Sequence, residues 1–113
     1  MRIERKLLEK IAEELTKQYG KSETWKRRII KRVLLNTVSR IVPGKLWIVR
    51  GVPELGDKYQ HYEVYNKDGN YICTCYIHSW SSRRRPCTHV GAVILYERIT
   101  SIVEPGPGFE PGK

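Results

Sequence analysis

The stretch CTCYIHSWSSRRRPCTH, from Cys73 to His89, holds all three cysteines of the chain and two of its three histidines. A chain of 113 residues cannot be divided into two pieces that each bury a good core unaided, so any small sub-fold within it needs a staple. Three is an odd number of cysteines, and a complete disulfide framework is impossible. In a reducing compartment the thiols turn instead to metal ligation or to thiol chemistry.

As spacing, the stretch reads Cys-x-Cys, eleven residues, then Cys-x-His. A structural zinc site takes four thiolate or imidazole ligands in a tetrahedron, and Cys73, Cys75, Cys87 and His89 supply that number. Residues two apart on an extended strand share a face, so a strand ending in YICTC would present Cys73 and Cys75 to one ion. On a helix, positions two apart point well away from each other, so Cys87 is expected before a helix and His89 in its first turn, with Pro86 and Thr88 at the junction. His78, three residues after Cys75, remains an alternative to His89. His61 reads as a surface residue. Four protein ligands leave no open position for catalysis at the metal, and a metal-bound thiolate is no free nucleophile. Inert or redox thiols are the rival reading.

Around this stretch the chain reads as α+β: an N-terminal helical hairpin, a small antiparallel sheet and a C-terminal helix clamped by one structural Zn2+. Ile3, Leu7, Leu8, Ile11, Ala12 and Leu15 recur at helical spacing over 3–19, with Gly20 as the stop. Ser22 and Glu23 open a second helix whose apolar row of Trp25, Ile29, Val33 and Leu34 is expected to run to Val38, before Pro43 and Gly44. Strands are expected at 45–49, 59–65 and 71–75, with Asp68-Gly69 as a hairpin turn. A third helix is expected from Thr88 to about Thr100. The expected division is a basic hairpin at 1–44, a zinc-finger module at 45–102 and a disordered Pro/Gly tail at 103–113. No run of about 18 apolar residues is present, and the charged start MRIERKLLEK lacks a signal-peptide core, so an intracellular protein with no membrane partner is expected.

The net charge is +9, which suits an acidic partner, nucleic acid being the commonest. Residues 1–40 carry twelve Lys/Arg against five Asp/Glu. In KRRIIKR, Lys26, Arg27 and Lys31 form a cationic helix side that can lie along phosphates, or merely a solvated face. In the loop between the ligand pairs, Arg83, Arg84 and Arg85 can meet phosphates while Trp80 stacks on an exposed base; alternatively, these arginines offset the charge of three thiolates. Trp25, Trp47, Tyr62 and Val64 read as core. No paired carboxylates, nucleophile-base spacing or glycine-rich phosphate loop occurs, so neither an enzyme nor a small-molecule substrate is expected. Two function classes survive: a nucleic-acid-binding module, with DNA the first expectation, and an adaptor docking a protein partner.

The Cys-x-Cys-x11-Cys-x-His pattern, together with LWIVRG, YEVY and CTHVGAVILYE over roughly residues 45–100, resembles the SWIM-type zinc finger. The resemblance implies a ββα zinc module used for DNA binding and protein contacts, as in recombination-accessory proteins, transposases and chromatin-type ATPases. It implies ligand roles for Cys73, Cys75, Cys87 and His89, and a recombinase, a helicase or transcription machinery as partner. The chain departs from the pattern in lacking a proline or acidic residue just after Cys-x-Cys, and in having Thr88 where a basic residue is frequent. Neither departure touches coordination. The N-terminal hairpin lies outside the resemblance.

Overall fold

The computed structural model describes residues 4–78 and 85–103. Helix α1 (Arg5–Gln18) and helix α2 (Glu23–Leu34) form the expected hairpin. Strands β1 (Val38–Val42), β2 (Leu46–Arg50), β3 (His61–Lys67) and β4 (Asn70–Cys73) follow, and helix α3 (Thr88–Val103) closes the described chain. The four strands pair antiparallel in the order β1-β2-β3-β4. The fold is therefore α+β, as the sequence implies.

Local chemistry sets the boundaries. Gly20, at φ +63°, ends α1, and the Lys21 N–H bonds back to the Thr16 carbonyl at 2.8 Å. Ser22 caps α2 by accepting from the Trp25 N–H at 3.2 Å, satisfying one of the donors that a helix start leaves unpaired. The end of α2 departs from expectation. Asn36 takes φ +58°, its N–H bonds to Val33, and the Thr37 N–H reaches the Arg32 carbonyl at 3.2 Å. This is the glycine-type helix stop built on asparagine, the other residue that tolerates a left-handed backbone. The helix thus ends at Leu34 and not at Val38, and the released segment becomes β1. The sheet gains a fourth strand, and residue 44 falls within the turn of the β1-β2 hairpin, where Val38 pairs with Val49 and Val42 with Leu46. Asp68 and Gly69, both at positive φ, turn β3 into β4 as expected.

One hydrophobic core joins all these elements. Val90 to Leu95 of α3 are buried without a break, which leaves no solvent side over that stretch. The reason is position: α3 packs against α1 and α2 and also against the sheet. Leu8, Ile11, Ala12 and Leu15 of α1 are spent in this core, as are Trp25 and Ile29 of α2 and Trp47, Val49, Tyr62 and Val64 of the sheet. At Gly91 the helices approach so closely that a Cβ would lie 2.6 Å from Trp25 Cζ2. Among the described residues no helix is long and apolar enough to cross a membrane. The Pro/Gly tail from residue 104 onward lies outside the described residues.

Candidate metal centre

Strand β4 delivers Cys73 at its last residue, and the chain then tightens into a 3-10 turn over Thr74–His78. Cys75 sits in that turn. The two cysteines therefore converge through a bend and not through the shared face of a strand. The Cys75 N–H donates to Cys73 Sγ at 3.4 Å, which fixes the bend on the sulfur it serves. Across the core, Cys87 immediately precedes α3 and His89 is its second residue, as expected. The Val90 N–H, at the helix start, donates to Cys87 Sγ at 3.5 Å, where the positive end of the helix favours a thiolate.

These four residues bring their ligand atoms within 4.8 Å of one another. His89 Nδ1 lies 3.6 Å from Cys73 Sγ and 3.7 Å from Cys87 Sγ. In a zinc tetrahedron with Zn–S of about 2.3 Å and Zn–N of about 2.0–2.1 Å, the sulfur-nitrogen edge comes to about 3.6 Å. The donor set therefore fits the size of such a site as well as its chemistry.

The charge state points the same way. Burial opposes ionisation of Cys87, but hydrogen bonds from the Cys73 and Cys75 thiols and from His89 hold its pKa far below the thiol range. Contacts with Cys75 and Cys87, joined by burial, push Cys73 far up. Contact with Cys73 lowers Cys75, but Cys87 and burial raise it more, to about 12. Ionisation of Cys87 thus opposes ionisation of its two neighbours. A divalent cation would let all three ionise.

The surroundings orient the imidazole. Its far nitrogen, Nε2, lies 3.0 Å from Asp57 Oδ1, so Nε2–H can donate to a carboxylate while Nδ1 faces the Cys73 and Cys87 sulfurs and would ligate on losing its proton, the usual arrangement around metal-bound histidine. Tyr62 stacks on the ring at 3.9 Å between centroids and 20° between planes. Asp57 is in turn held by the Arg32 fork, Nη1 to Oδ2 at 2.6 Å and Nη2 to Oδ1 at 3.0 Å, and by the Val52 N–H at 2.7 Å. Burial raises the Asp57 pKa, but the Arg32 and Val52 hydrogen bonds, the Arg32 charge and His89 together take it below the ordinary value. Arg32 Nε also donates to Thr88 Oγ1 at 3.1 Å, so the Thr88 hydroxyl serves this network. Tyr76 Oη accepts from the Cys87 N–H at 3.1 Å.

Asp57, Arg32 and Tyr62 shape the centre from outside the Cys/His spacing, and Tyr76 from within it. Asp57 has no local signal, since it comes from the β2-β3 connection. Arg32 had one: it falls on the buried side of α2 beside Ile29 and Val33, where a lone arginine implies a buried carboxylate.

The other predicted residues divide. Lys26 is only 18% exposed and bonds Glu13 and Glu23, each at 2.8 Å. Arg27 and Lys31 are exposed on α2. Arg85 is exposed, with its guanidinium 4.3 Å over the Tyr76 ring. Trp80, Arg83 and Arg84 lie outside the described residues, as does the His78 side chain. His61 is exposed at the start of β3.

Comparison with known proteins adds no relative: no family profile matches the chain, and neither curated proteins nor solved structures match it. The cluster itself can hold a metal ion and is compatible with a zinc finger.

Proposed function

We propose that this chain is a small SWIM-type module, stapled by one structural zinc ion, that binds nucleic acid, DNA first, through its basic surfaces in recombination, repair or transcription regulation. The observation that carries the reading is the set of three thiols and one imidazole, with ligand atoms within 4.8 Å of one another and backed by Asp57. Cys73, Cys75, Cys87 and His89 would hold the ion, and four protein ligands leave it a structural role. In this reading the chain is no enzyme. The nucleic-acid part is supported by the +9 charge and by the exposed Arg27, Lys31 and Arg85; Arg83, Arg84 and Trp80 of the same loop are assigned to it from sequence.

The test is a salt series on DNA and RNA oligonucleotides. Several phosphate contacts produce a steep log-log fall in affinity with salt, and an Arg83→Ala, Arg84→Ala, Arg85→Ala triple variant flattens it. Absence of binding even at low salt refutes the reading.

The second reading is an adaptor that docks a recombinase, helicase or other DNA-processing protein without touching DNA. It is favoured by an apolar row across the outer face of the sheet: Val42, Leu46, Tyr65 and Ile72 are successive cross-strand partners. Val42, Tyr65 and Ile72 are 40–44% exposed. A pull-down that loses its partner on Ile72→Glu, with DNA binding absent, decides for the adaptor.

A further inference from the structure

The sheet has two faces, and among the described residues only one is covered. Val49, Tyr62, Val64 and Cys73 are buried on the inner face, where α3 packs. Their neighbours along each strand point the other way. On that outer face Val42, Leu46, Tyr65 and Ile72 run across the strands, with Ile48 beside them on β2 and Ile41, 49% exposed, at the irregularity in β1. Six apolar side chains in one patch approach the few hundred Å² that soluble monomers seldom leave to water.

Charge narrows what covers it. Strand β3 shows His61, Glu63, Tyr65 and Lys67 to this side, all four exposed. Glu63 and Lys67 are equally far from Tyr65 along the strand, one on each side of the apolar row. The Tyr65 hydroxyl donates to Glu63, which keeps the phenol lying along its own strand. Phosphate finds little here, because the Arg50 guanidinium already serves the Leu35 carbonyl at 3.0 Å and Glu63 opposes Lys67. The basic excess belongs instead to the helical hairpin, which packs on α3.

We infer that a second copy of this chain covers the outer face, sheet on sheet, about a two-fold axis that runs along the row of Val42, Leu46, Tyr65 and Ile72. Such an axis reverses strand direction and lays each strand over its own counterpart. Tyr65 then meets Tyr65 of the second copy, and each Glu63 comes over the Lys67 of the other, giving two ion pairs that flank the apolar row. An axis along the strands would set Glu63 over Ile48 or over its own counterpart, stranding the carboxylate. The adaptor reading gives this face to a different protein; a second copy is favoured because the face complements itself. The arrangement is independent of the nucleic-acid reading. One sheet face per copy lies towards the lower end of stable interfaces, about 1,200 Å² in all, so association in the micromolar range is expected.

Sedimentation equilibrium of the full, metal-loaded chain over about 1–200 μM tests this. Glu63, Lys67 and Ile72 are exposed, and metal content and melting temperature of each variant confirm the fold. Expected is a mass that rises from one chain to two with concentration. Ile72→Glu, which brings two carboxylates together at the axis, should weaken the dimer at least about tenfold, as should Glu63→Lys and Lys67→Glu singly. The double variant Glu63→Lys, Lys67→Glu restores opposite charges across the axis and should return the affinity to within about threefold of wild type. A monomer at every concentration overturns the inference and returns the face to the partner of the adaptor reading. A dimer indifferent to Ile72→Glu and to both single charge reversals places the interface elsewhere and overturns it too. A double variant no tighter than the single ones overturns the axis along the row.

Discussion

The Asp57 carboxylate stands 3.0 Å from Nε2 of His89, while both of its oxygens are gripped by the buried guanidinium of Arg32. A residue from the β2-β3 connection and one from α2 thereby set the orientation of a ligand on α3. Replacing Asp57 with alanine should weaken zinc affinity about 10–100-fold. Competition against a colorimetric chelator measures this, and an unchanged affinity would show that the carboxylate does not support the centre.

Arg32 itself is 1% exposed and Asp57 6%. Truncating one partner of a buried pair strands the other, so Arg32→Ala should cost about 3–5 kcal/mol in urea unfolding. A cost below about 1 kcal/mol would mean that water relieves the orphaned carboxylate.

Elemental analysis should find about one zinc per chain. Cys87→Ser should lose it, whereas His78→Ala should keep it. Binding energies of about 10–16 kcal/mol at such sites match or exceed the whole stability of a domain of this size. Chelation should therefore lower the melting temperature by at least about 20 °C. Full metal content in Cys87→Ser would remove that residue from the ligand set.

Gly91 has no room for a side chain: a Cβ would sit 2.6 Å from Trp25 Cζ2 and 2.7 Å from Ile29 Cγ2. Trp25 Nε1 donates to the Pro86 carbonyl at 3.0 Å, next to Cys87, so a displaced indole pulls on the metal loop. Alanine at 91 gains up to about 1 kcal/mol in helix propensity but forces α2 away from α3, at about 1–3 kcal/mol. Gly91→Ala should melt lower than wild type; a higher melting temperature would show that the interface gives way cheaply.

Lys26 ties α1 to α2 through Glu13, and hydrogen bonding to Lys26 is the main reason the Glu13 pKa falls below 4.5. Lys26→Ala should reduce nucleic-acid affinity less than Arg27→Ala or Lys31→Ala, because its ammonium is already paired. The tie contributes above the ordinary carboxylate pKa and is lost as pH falls through the depressed one. The stability difference between wild type and Lys26→Ala should therefore be present at neutral pH and vanish in acid. An equal difference at both would mean that Lys26 acts by packing alone.

Much of this organisation is legible in local sequence because its causes are local. Ser22 caps, Gly20 stops, Asp68-Gly69 turns, and the apolar rows of α1 and α2 mark their buried sides. The strand β1 was hidden because Val38 continues the helical row of Trp25, Ile29 and Val33, and only the left-handed backbone at Asn36 breaks that row. The bend at Cys75 was hidden for a similar reason. Two residues apart is strand spacing, yet the turn that begins at Thr74 brings the second sulfur round.

By itself the sequence determined the chemistry of the centre and its place in the chain: three thiols and an imidazole in two close pairs, one pair just ahead of an apolar helix. Close pairs carry their geometry in short backbone segments, so spacing is enough to reveal them. Tertiary structure alone decided that the carboxylate Arg32 pairs with is Asp57, and that Asp57 meets His89. Arg32 and Asp57 are 25 positions apart and Asp57 and His89 are 32 apart, and side chains so far apart along the chain meet only when the core that joins helices to sheet has formed.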